Sequence, residues 1–112
     1  MNAVDGSFLG DTLPQIAGGD EVWYNPGDNR YYASSANTVA GLVSLSVVDA
    51  DSSAWIQSVP AEGVRNVAAY AGNNHVFAAV RAPAAGIRDT TVCASFGLVG
   101  TGCIAVFAHS GN

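Results

Sequence analysis

The chain has 112 residues, 49% of them hydrophobic, and a net charge of −5 without a single lysine. The four arginines are scattered and form no basic stripe that could neutralise a phosphate backbone, so we do not expect nucleic acid as a partner. No apolar run is long enough to span a bilayer, which predicts one globular domain and no membrane segment.

The first 19 residues resemble a later stretch of the chain. Val4-Asp5-Gly6 matches Val48-Asp49-Ala50. The apolar residue and proline at Leu13-Pro14 match those at Val59-Pro60, and the spacing between the two stretches is 44 to 46 residues. Both stretches run from an apolar strand end with Asp, through a turn, to a strand and a glycine linker. The N-terminal segment therefore predicts a last strand around residues 12–16, without the strands that would precede it.

The segment DEVWYNPGDNRYY, from Asp20 to Tyr32, predicts a strand, a tight turn and a returning strand. Pro26 presets φ for the turn, and its Gly, Asn and Asp residues tolerate turn conformations. A loop, an apolar strand, a DSSA turn and a further strand follow. This unit is predicted to be one antiparallel sheet with strands at residues 21–25, 30–34, 41–49 and 55–59.

A second copy of the pattern lies 45 residues further on, where RNVAAYAGNNHVF places Val67 at the position of Val22. Strands are predicted at residues 66–71 and 75–81, then a longer loop, then a strand at residues 103–108. No fourth strand follows in the sequence. The runs HVFAAV and CIAVFA are almost continuously apolar, which predicts strands buried on both faces.

Two features bear on the cellular compartment. The N-terminal MNAVDGSFLGD lacks the charged and apolar regions of a signal peptide, so we expect no export signal in the chain and leave the localisation open. Cys93 and Cys103 are too few and too far apart for a zinc site. We expect a disulfide between them if the protein is exported, contributing about 2 to 3 kcal/mol, and two buried thiols in the cytosol.

Four strands in a unit of about 40 to 50 residues are typical of a β-propeller blade, whose first strand lines a central channel. GDEVWYNPGDNRYY, SVVDADSSAWIQSVP and NNHVFAAV followed by GCIAVFA resemble the YVTN/NHL-like bacterial β-propeller repeats over nearly the whole chain. A full-length member has six to eight blades, and this chain has strands for two. The resemblance implies a fold but no single function, because propellers include lactonases, dehydrogenases, lectins and plain scaffolds.

The predicted fold is all-β, with two four-stranded antiparallel blades completed by head-to-tail oligomerisation into a propeller. Residues 20–63 form the first blade, residues 64–112 form the second without its last strand, and residues 1–19 supply that strand to a neighbouring copy. Two blades alone would leave apolar faces and an apolar edge strand in water. Each copy adds two blades to a closed ring, so a six-bladed homotrimer is favoured, followed by an eight-bladed tetramer.

The residues that open the two innermost strands are expected to line the channel, and they are Asp20, Glu21, Arg65 and Asn66. Copies of the adjacent acids Asp20 and Glu21 would converge on the ring axis, an arrangement that suits Ca²⁺ or another hard cation. The alternative is that both are ordinary charged residues at a strand start. Many of the similar repeats have a histidine here, so its absence argues against any activity that requires it.

Other groups favour structural roles. DADSS begins like a calcium loop at Asp49, but Ala54 and Pro60 stand where an EF-hand needs Gly and Glu, so a simple turn is favoured. His75 and His109 fit no catalytic order of nucleophile, base and acid. The strand aromatics could be ligand platforms or packing residues, with packing favoured: Trp23, Tyr24, Tyr31, Tyr32 and Trp55.

Three functions stay open. The favoured one is a self-assembling structural or binding module with an unknown ligand, whose partner is the chain itself. The second is a metal-dependent hydrolase or lactonase-like enzyme that uses channel acids such as Asp20 and Glu21, and the third is an inactive fragment of a longer propeller. Metal analysis together with lactone and ester hydrolysis assays would separate the second from the first.

Overall fold

The computed structural model describes Val4, residues 21–37 and residues 42–108. Three of the sequence predictions therefore lie outside the described residues: the strand around residues 12–16, the channel acid Asp20, and His109. Within the described residues the chain is all-β and forms two antiparallel sheets. No helix in this part of the chain is long and apolar enough to cross a membrane.

The first sheet contains four strands in chain order, and they are β1 (Val22–Asn25), β2 (Arg30–Asn37), β3 (Leu42–Asp49) and β4 (Trp55–Pro60). All four predicted strands are confirmed. In the register of the sheet, Tyr24 lies opposite Tyr31 and Tyr32 lies opposite Val47. Side chains alternate between the faces along a strand, and cross-strand partners share a face, so this register decides which residues point the same way.

The second sheet contains three described strands, and they are β5 (Val64–Tyr70), β6 (His75–Val80) and β7 (Cys103–Phe107). These predicted strands are also confirmed. A β-bulge between Val64 and Asn66 inserts Arg65 as an extra residue at the start of β5. The β7 strand lies at one edge of this sheet among the described residues.

The first hairpin turns of the two sheets have matching geometry. Asn29 has φ 56° and Asn74, 45 positions later, has φ 59°. Asparagine is one of the few residues that adopt this left-handed conformation readily, because its short side chain can hydrogen-bond locally. The two hairpins therefore turn in the same way, with the residue that follows each asparagine starting β2 or β6.

One hydrophobic cluster joins the two sheets. The sheets converge along β1, β2 and β5 and diverge toward β4 and β7, where a wedge-shaped cavity of about 420 Å³ opens. The face of each sheet that meets this cluster is called its inner face here, and the opposite face its outer face. The inner faces are formed mainly by Tyr32, Leu45 and Val47 in the first sheet and by Val67, Val76, Ala78 and Val80 in the second.

The two hairpin turns are in direct contact with each other. Asn25 is fully buried, and its Nδ2 donates a hydrogen bond to Oδ1 of Asn74 at 3.0 Å. Its own Oδ1 accepts a hydrogen bond from the backbone N–H of Gly27 at 3.2 Å. A Cβ on Gly27 would lie 2.5 Å from the carbonyl oxygen of Ala71, so only glycine fits this approach.

A long loop connects β6 to β7 and is fixed at several points. Cys93 is joined to Cys103 by a disulfide with an S–S distance of 2.09 Å. The Asp89 carboxylate accepts hydrogen bonds from the Thr91 hydroxyl at 2.6 Å and from the backbone N–H of Gly100 at 2.7 Å. These bonds, the hydroxyl first, lower the pKa of Asp89. The disulfide and the hydrogen bond from Gly100 to Asp89 therefore each connect an early part of this loop to a late part.

Candidate functional site

The structure brings two of the predicted channel residues together. Glu21 precedes β1, Asn66 lies in β5, and both line a concavity of about 240 Å³ beside the convergent edges of the two sheets. Arg65 is exposed as well, but it is not among the residues that line this concavity. The channel prediction itself concerns an assembled ring and stays a prediction.

The walls of this concavity are mainly aromatic and aliphatic. Trp23 reaches it from the first sheet, while Phe77 and Ile104 belong to the outer face of the second. Among the described residues that line the concavity, Glu21 is the one ionisable residue. It presents two partly exposed rings, Trp23 and Phe77, together with the carboxylate of Glu21 and the amide of Asn66.

The described residues contain no group of three or more His, Cys, Asp or Glu able to hold a metal ion. They therefore supply no ligand set for the calcium site that was expected from the sequence. Asp49 instead closes a turn, since its Oδ2 accepts hydrogen bonds from the hydroxyl of Ser52 at 2.7 Å and from its backbone N–H at 2.8 Å. The hydroxyl, followed by the N–H, lowers the pKa of Asp49. The sequence interpretation of this segment as a turn is confirmed.

The strand aromatics divide into one core residue and four surface residues. Tyr32 is buried, and its hydroxyl donates a hydrogen bond to Asp28 Oδ2. Burial, and then this bond to a carboxylate, raises the pKa of Tyr32. The other four are partly exposed: Trp23, Tyr24, Tyr31 and Trp55. The packing prediction is thus confirmed for Tyr32 within the single chain.

The outer faces of both sheets are apolar and exposed. The outer face of the first sheet contains Val22, Tyr24, Tyr31 and Trp55, and that of the second contains Ala68, Phe77, Ile104 and Val106. The rings of Tyr24 and Tyr31 lie 5.3 Å apart and are tilted by 49°. The sequence predicts strands buried on both faces, but among the described residues of the single chain each sheet is covered on one face only.

Residues at corresponding places in the two sheets differ sharply in exposure. Leu45, the cross-strand partner of Ser34, is 1% exposed, whereas Ile104, the partner of Ala79, is 65% exposed. Ser34 and Ala79 are 45 positions apart, as are Tyr32 and Phe77, whose partners Val47 and Val106 are 5% and 55% exposed. In the opposite sense, Val22 is 63% exposed and Val67, 45 positions later, is 3% exposed. The inner face of the first sheet thus corresponds to the outer face of the second, and the reverse.

Exposed apolar faces were expected for a chain with strands for only two blades. Sequence reasoning missed which residues the chain itself covers, because corresponding residues such as Leu45 and Ile104 look alike in the sequence. The available signal was the unmatched number of strands in the second unit. Comparison of the chain with protein-family models, with curated proteins and with solved structures finds no match. The resemblance to YVTN/NHL-like repeats therefore rests on the motifs quoted above.

Proposed function

We propose that the protein is a self-assembling β-propeller module with a structural or binding role. In this proposal the two sheets are repeated blades, and copies of the chain associate head to tail until a ring closes. A six-bladed trimer is favoured over an eight-bladed tetramer. The innermost strands then surround a channel, with Glu21, Arg65 and Asn66 near its mouth.

The observation that carries the proposal is the exposure of apolar residues whose counterparts in the same chain are buried. Ile104 and Val106 occupy the places that Leu45 and Val47 occupy in the first sheet, where the second sheet covers them. An apolar face of this kind on a separate molecule is unfavourable in water and is typical of an interaction surface. A further sheet of the same type is the simplest cover for it.

The edge of the second sheet supports the same arrangement. In the first sheet, β4 pairs with β3 and completes four strands. In the second, the corresponding side of β7 has no described strand beside it, and an apolar edge favours pairing with another strand. We propose that residues 1–19 of a neighbouring copy, chiefly residues 12–16, pair with β7.

Light scattering coupled to size-exclusion chromatography tests the proposal directly. The expected mass is three times the 11.4 kDa of one chain, and it should persist at micromolar concentration. Deletion of residues 1–17 should leave β7 uncovered and lower the mass. A stable wild-type monomer, or an unchanged oligomer after the deletion, would contradict the proposal.

A further inference from the structure

The contact between the two sheets inside one chain defines how one sheet covers another. The inner face of the first sheet, with Tyr32 and Val47, meets the inner face of the second, with Val76 and Phe107, and these four side chains line the same wedge-shaped cavity. At the turns, Asn25 of the first sheet donates its hydrogen bond to Asn74 of the second. We call this arrangement the internal joint.

Each half of the internal joint has a counterpart on an exposed outer face. Phe77 and Val106 on the outer face of the second sheet correspond to Tyr32 and Val47. Tyr31 on the outer face of the first sheet corresponds to Val76, 45 positions later. A single chain therefore has two exposed faces, each of which corresponds to one half of the internal joint. The two faces lie on opposite sides of the molecule.

We propose that the outer face of the second sheet in one copy packs on the outer face of the first sheet in the next copy, in the register of the internal joint. This inference rests on the proposed function and names the contact through which it would operate. Phe77 and Val106 of one copy then meet Tyr31 and Val48 of the next. The occupant of each exposed face is a second copy of this chain, and the contact is heterologous.

Side-chain sizes in the innermost strands support this pairing. The register places the large Trp23 on the inner face of β1, where it stays 40% exposed, and the small Ala69 on the inner face of β5, where it packs against the core. In the proposed contact the sizes are exchanged, because β5 contributes Ala68 from its outer face and β1 contributes Tyr24. Each pairing combines one large and one small residue, which conserves the volume to be filled.

The turns offer a polar contact at the same place. The counterparts of Asn25 and Asn74 in the proposed contact are Tyr70 of one copy and Asn29 of the next. Tyr70 is exposed, and its phenol can donate a hydrogen bond to the Asn29 side-chain oxygen as Asn25 does to Asn74. That oxygen accepts a hydrogen bond from Tyr24 at 2.9 Å, and a carbonyl oxygen has room for two donors.

Two charge-bearing variants and their mixture test the pairing. Val22→Lys places an ammonium on the outer face of the first sheet, and Ile104→Lys places one on the outer face of the second. Both positions are exposed in the single chain, so each variant should fold, as circular dichroism can verify. Ile87→Lys is the matched control, since Ile87 is equally exposed but lies in the β6–β7 loop, away from both faces.

Each face variant alone should elute as a monomer, because every copy has lost one half of the contact. An equimolar mixture should form a heterodimer in sedimentation velocity, since one variant retains an intact first-sheet face and the other an intact second-sheet face. The control should keep the wild-type mass. Val106→Lys should behave like Ile104→Lys, which guards against a folding defect peculiar to one substitution.

The outcomes separate this inference from the proposed function. A monomeric wild-type protein contradicts the proposed assembly itself. A wild-type oligomer that survives either face variant, or a mixture that shows no dimer, overturns the pairing while leaving assembly intact. If Val22→Lys alone forms a homodimer, the contact joins two second-sheet faces, and the heterologous arrangement is wrong.

Discussion

The inner face of the first sheet and the outer face of the second are built from similar residues in the same register, yet one is buried and the other is exposed. Leu45 and Val47 lie under the second sheet, while Ile104 and Val106 face solvent in the single chain. The difference does not come from the residues themselves, since both pairs are aliphatic. It comes from whether another sheet follows. The local sequence therefore determines which side chains are apolar and on which face they lie, and the presence of a neighbouring sheet determines whether that face is buried.

The largest effect expected from this comparison concerns Leu45 and Ile104, the aliphatic residues at corresponding places in the two sheets. In the Val22→Lys background, which should be monomeric, Leu45→Ala should lower the free energy of unfolding by about 2 to 5 kcal/mol, because it creates a cavity in the core. Ile104→Ala in the same background should change it by no more than about 0.5 kcal/mol. Urea unfolding at constant m-value measures both. Equal losses for the two variants would mean that Ile104 is covered in the single chain as Leu45 is.

The second effect concerns how each sheet is reinforced, because the first has a fourth strand and the second has the Cys93–Cys103 disulfide. Replacing both cysteines with alanine should lower the free energy of unfolding by about 2 to 3 kcal/mol, since the unfolded chain loses a constraint. Hydrogen exchange should rise in β6 and β7 and stay unchanged in β1. A uniform rise would show that the disulfide supports the whole molecule. Intact mass with and without reduction reports whether the bond forms, and two freely alkylated thiols in exported protein would reject it.

A smaller effect is expected at the glycines of the two matching turns. Gly27→Ala should cost about 1 to 3 kcal/mol, because its Cβ would press on the backbone of Ala71. Gly72→Ala should cost less in a monomer, since the three atoms nearest to the new Cβ all belong to the side chain of Tyr70, which is exposed and can turn aside. In the wild-type background Gly72→Ala should instead weaken assembly on dilution. A Gly72→Ala variant that assembles normally would argue against the proposed register at the turns.

The smallest effect is acid dependence in the β6–β7 loop. The pKa of Asp89 is lowered in the folded chain by its hydrogen bonds to the Thr91 hydroxyl and the Gly100 N–H. Its contribution to stability is therefore present above the ordinary value of 3.8 and is lost as the pH falls through the lowered pKa. Urea midpoints of wild type and Asp89→Asn should converge in this acidic range. A constant difference down to pH 2 would assign the effect to something other than ionisation.

The strands were predictable because their signals are local. Pro26 and Gly27 mark the first turn, and the apolar runs around Val47 and Phe77 give strands at the right spacing. The contact between Asn25 and Asn74 joins residues 49 positions apart, and no local sequence pattern predicts it. Long-range side-chain partners follow from how sheets are placed against each other, which spacing alone does not determine.

Two of the four residues predicted to line the channel lie together in the single chain, and the channel itself stays a prediction. Glu21 and Asn66 lie together because each stands at the start of an innermost strand, which a sequence alignment can show. Arg65 is the extra residue of the bulge and is not among the residues that line the concavity beside Glu21 and Asn66. The pairing state of Cys93 and Cys103 was left conditional because sequence reports the compartment only through a signal segment.

The wedge-shaped cavity between β4 and β7 has a consequence for the number of copies in the proposed ring. Neighbouring blades must be inclined by about 60° in a six-bladed ring and about 45° in an eight-bladed one. Ile56 and Phe107 line the cavity, and in the proposed ring side chains at this place would set the inclination. Bulkier residues there would widen the angle between neighbouring blades and reduce the number of blades that closes the ring. Smaller residues would narrow this angle and allow an additional copy of the chain. Stoichiometry would then be set by the volume of a few side chains far from the axis.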